Sequence, residues 1–312
     1  MPPRINAITA DFSACRWLNL GEALQHFGTY SGATQSQQHI KPLHWYVACR
    51  LVLEGGFHPD DIMPHPPFRV EKKGGRHYLF FDAGKATGGE RTVLGGLKTK
   101  TVDVVVTKNG IGPVIAVSCK GMTGAFRNLT NRMEETIGEC TNLHITYPAM
   151  VFGYMLVIRA NREVQAIAAG LPPSEAEPAR QLNANDIAVQ KGGAPVESII
   201  RFHSALRELT GRRGIRDDVS RYEAVTLAMI EAAGENAGDL FGHFPPLDSP
   251  LRIEQFFQTL YLRYEERYLL GAPDLKSVTR RLDWDIESPA LMAPGNAEDE
   301  LYPEIDYDAR LG

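Results

Sequence analysis

The sequence predicts an α/β fold, and three observations carry that reading. An apolar repeat at helical spacing over residues 42–54 precedes two β-branched runs that flank Asn109-Gly110. After Gly121 and Gly124 the apolar period changes from two residues to about 3.6. A further apolar, partly β-branched run, 149–158, follows Tyr147-Pro148. The order helix, strand, strand, strand, helix, strand is that of an α/β core.

Each element has its own signal. Leu43, Val47 and Leu51 set the period of the first helix, which Gly55-Gly56 stops. Residues 68–71 and 77–81 read as short strands around Gly74-Gly75, and 84–96 as a glycine-rich loop. In 101–120 the Asn109-Gly110 pair is a strong hairpin signal. Phe126, Leu129, Met133, Ile137 and Cys140 form the apolar stripe of the next helix, and 149–158 fits a buried strand. Composition turns to Ala, Gly, Pro and Gln over 161–195, a connection or insertion with no assignable chemistry. Helices are predicted at 196–210, 217–233 and 251–270, and the last 25 or so residues as an acidic peripheral arm. Residues 1–160 therefore hold the N-terminal helices and core. Residues 161–312 hold an insertion and a helical C-terminal region packed on that core as one compact domain.

At 312 residues, 43% hydrophobic and 23% charged, the chain buries a sizeable core without staples. Cys15, Cys49, Cys119 and Cys140 form no CxxC pair, which fits a reducing cytoplasm. No signal-peptide layout opens the sequence and no apolar run approaches about 18 residues, so export and membrane spanning are not expected. A net charge of −5 argues against a non-specific nucleic-acid coat. It leaves DNA open, because Lys98, Lys100, Lys108, Lys120, Arg127 and Arg132 cluster in one segment.

Chemistry concentrates around the hairpin. With a two-residue turn, Lys108 pairs with Ile111 and Asp103 with Ala116, so Asp103 shares a face with Ala116, Ser118 and Lys120. A bulge at Gly112-Pro113 would change that register. Arg127, Asn131 and Glu134 form a polar stripe on the following helix, and Glu134 lies 14 residues after Lys120. Asp103 and Glu134 would hold a Mg²⁺ together with a substrate phosphate. Lys120 would orient or help deprotonate the attacking water.

Asp103, a β-hairpin and then Ser118-Cys119-Lys120 resemble the PD-(D/E)xK nuclease motif, with Val102 in place of the Pro and Ser118 in place of the second acid. Ser118, Lys120 and Glu134 are similar to the branch of type II restriction endonucleases that carries Ser-x-Lys and moves the lost carboxylate to the next helix. The resemblance covers residues 42–158. It implies a restriction-endonuclease-like core, a central mixed β-sheet flanked by helices, with additional C-terminal helices. It also implies Mg²⁺-dependent, site-specific hydrolysis of double-stranded DNA by a homodimer or homotetramer. It makes the Cys119 carbonyl a further metal ligand, Glu54 a supporting acid, and Arg127, Asn128 and Arg132, with Lys98 and Lys100, DNA-binding residues.

Other readings stand beside this one. A catalytically silent nuclease fold that binds DNA, and a repair or defence nuclease without a fixed site, share the same motif. Cys140 and His144 have i, i+4 spacing that could bind zinc, yet no second ligand pair accompanies them, so a core cysteine is the better reading. Residues 84–89 do not match a phosphate-binding loop, and no nucleotide cofactor is expected. The arginines of 201–216 are either a phosphate-binding surface or the solvated face of a helix pair.

Overall fold

The computed structural model describes residues 18–126, 129–163, 182–292 and 305–312. Their elements are α1 (Leu20–Thr29), α2 (Lys41–Leu53), β1 (Ile62–Met63), β2 (Phe68–Lys73), β3 (Arg76–Phe81), β4 (Arg91–Val93), β5 (Lys100–Val102), β6 (Val104–Lys108), β7 (Gly112–Met122), α3 (Leu129–Thr146), β8 (Val151–Arg159), α4 (Glu197–Glu208), β9 (Ala224–Ile230), α5 (Phe256–Tyr264) and α6 (Lys276–Thr279).

A five-stranded mixed sheet, in the order β1-β6-β7-β8-β9, forms the centre of the fold. β1, β6 and β7 pair antiparallel, and β7, β8 and β9 pair parallel. β8 is buried along Val151–Ile158 and β9 along its whole length, as strands covered on both faces must be. One face packs Val104, Val106, Val117, Met155 and Val157 against α1, α2 and α5. The other packs Ala116, Phe152, Leu156, Leu227 and Met229 against α3 and α4. Among the described residues no helix is long and apolar enough to cross a membrane.

The hairpin departs from its simplest register. Its loop has three residues, Asn109, Gly110 and Ile111, and Gly110 and Gly112 take positive φ of 74° and 96°, a region that costs a side chain. Lys108 therefore lies opposite Gly112, and a bulge beyond Thr107 brings Val104 opposite Val117. Continued one step, Asp103 stands level with Ser118 rather than Ala116. The two single-residue shifts cancel in parity, so Asp103 keeps the face of Ser118 and Lys120.

Two expectations are corrected and a third is refined. Residues 217–233 hold β9 and not a helix, because a strand buried on both faces is apolar throughout and shows no alternation. The helix expected at 251–270 is present over 253–270, opening as a 3-10 turn, α over Phe256–Tyr264 and π over Glu265–Leu270. Of the expected arm, residues 293–304 lie outside the described residues, and 305–312 are not peripheral: Tyr307 is buried and the Arg310 N–H donates to Leu53 O, beside fully buried Trp284. An unpredicted helix, α1, opens on a capping box between Asn19 and Glu22.

Candidate active site at the carboxyl ends of the parallel strands

Asp103 sits at a bend between β5 and β6, is 3% exposed, and gathers the site around its carboxylate. Its Oδ2 accepts from Lys120 Nζ at 2.9 Å, from the Cys119 N–H at 2.7 Å and from Ser118 Oγ at 3.3 Å. Ser118 and Lys120 lie near the C-terminal end of β7, where open α/β sheets place their ligand sites. Burial opposes ionisation of Asp103, but the surrounding positive charge and these hydrogen bonds outweigh it and hold the carboxyl below its ordinary value. Lys120 is the mirror case: burial works against its charge, yet Asp103 and Glu139 raise its pKa, so it is an ammonium.

The carboxylate that α3 supplies is Glu139. It is buried, its Oε2 lies 3.6 Å from Lys100 Nζ, and its Oε1 has no hydrogen-bond partner. Burial pushes its pKa up, and Lys120 and Lys100 pull it only part of the way back. Glu134, the helix acid that the sequence favoured, is exposed and makes no ion pair or hydrogen bond among the described residues. At about 100° per residue, five residues turn the helix by about 140°, so Glu134 and Glu139 cannot share a face. The sheet meets the Glu139 face because Leu129, Cys140 and Leu143 carry the buried stripe of α3.

From the opposite side α2 delivers His44, 4% exposed, with its Nε2 3.9 Å from Asp103 Oδ1 and without a hydrogen-bond partner. Burial pushes its pKa down to about 4, so the imidazole is neutral near pH 7. Glu90, from the glycine-rich loop before β4, completes a group with His44 and Asp103 that could hold a metal ion. One donor atom from each of the three lies within 4.8 Å of the others. Burial and then the Asp103 charge raise the Glu90 pKa. These three residues line a cleft of ≈ 390 Å³ with Gln35, Lys41 and Trp45. Compared with known proteins, the chain matches no protein family, no curated protein and no solved structure.

Besides Glu139, sequence reasoning missed three partners. His44 lay within the predicted first helix and Glu90 within the predicted loop, but nothing local marks either as converging on Asp103. Asn142 is the third. Its Oδ1 accepts the Leu97 and Lys98 N–H groups at 2.8 and 3.0 Å, and its Nδ2 donates to Lys98 O at 2.9 Å. That clamp ties the β4–β5 loop to α3 and so fixes the approach of Lys100 and Asp103. A Cβ on Gly95 would fall 2.1 Å from Asn142 Nδ2, so the clamp leaves no room for a side chain there.

The remaining expected residues are dispersed. Glu54 caps the far end of α2, about ten residues or 15 Å along the axis from His44, where it binds Arg50 at 2.7 Å and Gln258 at 3.0 Å. The Cys119 side chain is buried in the core, while its backbone N–H faces Asp103. Lys98 is exposed. Arg132 pairs with Glu135 at 2.6 Å and borders a separate polar cleft with Asn131 and Arg159. Arg127 and Asn128 lie outside the described residues.

A second buried polar centre stands toward the other end of β8. Glu223 accepts from Arg212 at 2.7 Å and from the Phe152 N–H at 2.6 Å, pairs with Arg267 at 2.5 Å, and has His144 Nε2 at 3.4 Å. His144 and Cys140 belong to this network, and Arg212 anchors it rather than offering a surface for phosphate.

Proposed function

We propose that this chain is a divalent-metal-dependent endonuclease of the PD-(D/E)xK type, with a restriction-endonuclease-like core, that hydrolyses double-stranded DNA at a specific site. The observation that carries the reading is the use of Asp103: Oδ2 is taken by Lys120, Ser118 and the Cys119 N–H, Oδ1 lies 3.9 Å from His44 Nε2, and the carboxylate groups with His44 and Glu90. An acid at a strand bend, a Ser-x-Lys at the end of the paired strand and a buried glutamate on the next helix gather around Asp103, which lines the cleft. Mg²⁺ is the cation the motif resemblance implies. The unpartnered His44 Nε2 beside two carboxylates is a donor set that fits a divalent ion, with Asp103, Glu90 and His44 as its holders. When bound, such an ion lowers the pKa of water and neutralises charge developing on a phosphoryl group.

The chain's own groups divide the remaining work. Lys120, kept as an ammonium by Asp103 and Glu139, donates to a phosphate oxygen or to the attacking water and stabilises negative charge in a partly buried setting. Glu139 pairs with Lys100 and lends its charge to Lys120, whose own partner is Asp103, keeping both cations beside Asp103 for a phosphodiester. Cutting both strands of a duplex extends the reading to a symmetric homodimer or homotetramer.

The test is incubation of the purified protein, and of Lys120→Ala, with plasmid and phage DNA in Mg²⁺ and in EDTA. Discrete fragments that need both the metal and Lys120 support site-specific cleavage. A smear would remove the fixed site and keep the nuclease. A wild-type protein that cuts no DNA, methylated or unmethylated, overturns the reading.

A further inference from the structure

Asp103 presents two chemically different oxygens. Oδ2 is saturated by an ammonium, a backbone N–H and a hydroxyl. Oδ1 lies 3.9 Å from His44 Nε2, a ring nitrogen that is buried and without a hydrogen-bond partner, and one donor atom each of His44, Glu90 and Asp103 lies within 4.8 Å of the others. A buried polar atom in that state is costly unless something completes it. Donors bound to one cation at about 2.1 Å stand roughly 3–4 Å apart, so the observed separations, all within 4.8 Å, close with small side-chain adjustments. The cleft of ≈ 390 Å³ beside them leaves space for bound waters.

The donor set is one imidazole nitrogen and two carboxylate oxygens. Mg²⁺ takes oxygen ligands and retains its waters, whereas imidazole suits first-row transition ions. We infer that His44, Glu90 and Asp103 form a nitrogen-containing cation site that prefers a first-row transition dication to Mg²⁺. The inference leans on the nuclease reading only for what the ion is used for. Binding itself follows from the three residues. His44 is thereby a ligand and not a packing residue, and its position on the rigid helix α2 fixes the site before any substrate arrives.

The experiment uses Mn²⁺ as the probe with the full chain and no DNA. Binding is followed by the loss of the free-ion electron paramagnetic resonance signal, and ligation by electron spin echo modulation from nitrogen. The expected result is bound Mn²⁺ with directly coordinated nitrogen, displaced by Mg²⁺ only at about tenfold or greater excess over Mn²⁺, and more readily by Zn²⁺. His44→Gln should remove the nitrogen signal and weaken Mn²⁺ by about tenfold or more. Glu90→Gln, which leaves the core untouched, should weaken Mn²⁺ but keep the nitrogen signal.

Three results would overturn the inference: bound Mn²⁺ with no nitrogen coupling, equal affinity for Mg²⁺ and Mn²⁺, or a folded His44→Gln that binds Mn²⁺ like the wild type. If His44→Gln does not fold, the wild-type nitrogen signal and the Glu90→Gln affinity still decide. A protein that cuts DNA with Mg²⁺ yet shows no nitrogen coupling sinks the site and leaves the nuclease standing. Nitrogen-coupled Mn²⁺ in a protein that cuts no DNA does the reverse.

Discussion

Replacing Glu139 by Gln and, separately, Glu134 by Gln isolates the point at which helix phase decides chemistry. Glu139 is 6% exposed and stands 3.6 Å from Lys100 Nζ. At an effective dielectric of about 20, a pair at that distance attracts by about 4–5 kcal/mol before desolvation is counted. The raised pKa of Glu139 shows that desolvation is the larger effect, so its ionised form is a net cost to folding. The sign follows from linkage. A carboxyl whose folded pKa lies above its unfolded value favours the folded state at low pH, and that advantage is lost as pH rises from the ordinary value near 4.5 through the raised one. Glu139→Gln should therefore match the wild type near pH 4 and exceed it at pH 8, by about 1.4 kcal/mol for each unit of displacement and about 2 °C in Tm per kcal/mol. In the same variant cleavage should fall on the order of 10²-fold or more, because Lys100 loses its partner and Lys120 a nearby negative charge. Glu134→Gln, on the exposed face, should change cleavage by no more than about twofold and stability by less than about 0.5 kcal/mol. Thermal melts between pH 4 and pH 8 and single-turnover cleavage of plasmid supply both readouts. An inactive Glu134→Gln beside an active Glu139→Gln, or a Glu139→Gln that is less stable than the wild type at pH 8, would refute the assignment.

Asp103→Asn leaves the Lys120 ammonium, 22% exposed at its side chain, without its partner, and should cost about 3 kcal/mol in urea unfolding at pH 7 together with all metal-dependent cleavage. Because the Asp103 pKa is lowered by folding, that deficit should be full above pH 3.8 and shrink as pH falls through the lower, folded value. Asn142→Ala frees the Leu97 and Lys98 N–H groups and should cost about 1–2 kcal/mol and about tenfold in cleavage rate, with hydrogen exchange rising in the β4–β5 loop; unchanged exchange there would rule out the clamp. Glu223→Gln strands Arg212 and Arg267 around a fully buried site and should cost about 3–5 kcal/mol by chemical denaturation, while the cleavage rate per folded molecule stays at the wild-type value.

What the sequence determined by itself was local. The Asn109-Gly110 signal and the alternation of strand side chains were enough to place Asp103 on the face of Ser118 and Lys120, and that placement survived a longer loop and a bulge because two one-residue shifts restore parity. The helix of α2 was legible from Leu43, Val47 and Leu51, and β8 from its unbroken apolar run, because both signals lie within one element. Tertiary structure decided everything that depends on how elements meet. A buried parallel strand and a buried helix are both apolar throughout, so β9 read as a helix until its pairing with β8 was known. Spacing admitted Glu134, but the rotation of α3 on the sheet, set by Leu129, Cys140 and Leu143, turned Glu139 inward. His44 and Glu90 reach Asp103 across about 59 and 13 residues of chain, one on a helix and one in a loop. Their convergence comes from packing α2 on one face of the sheet and from the path of the glycine-rich loop, a long-range event with no period or motif of its own.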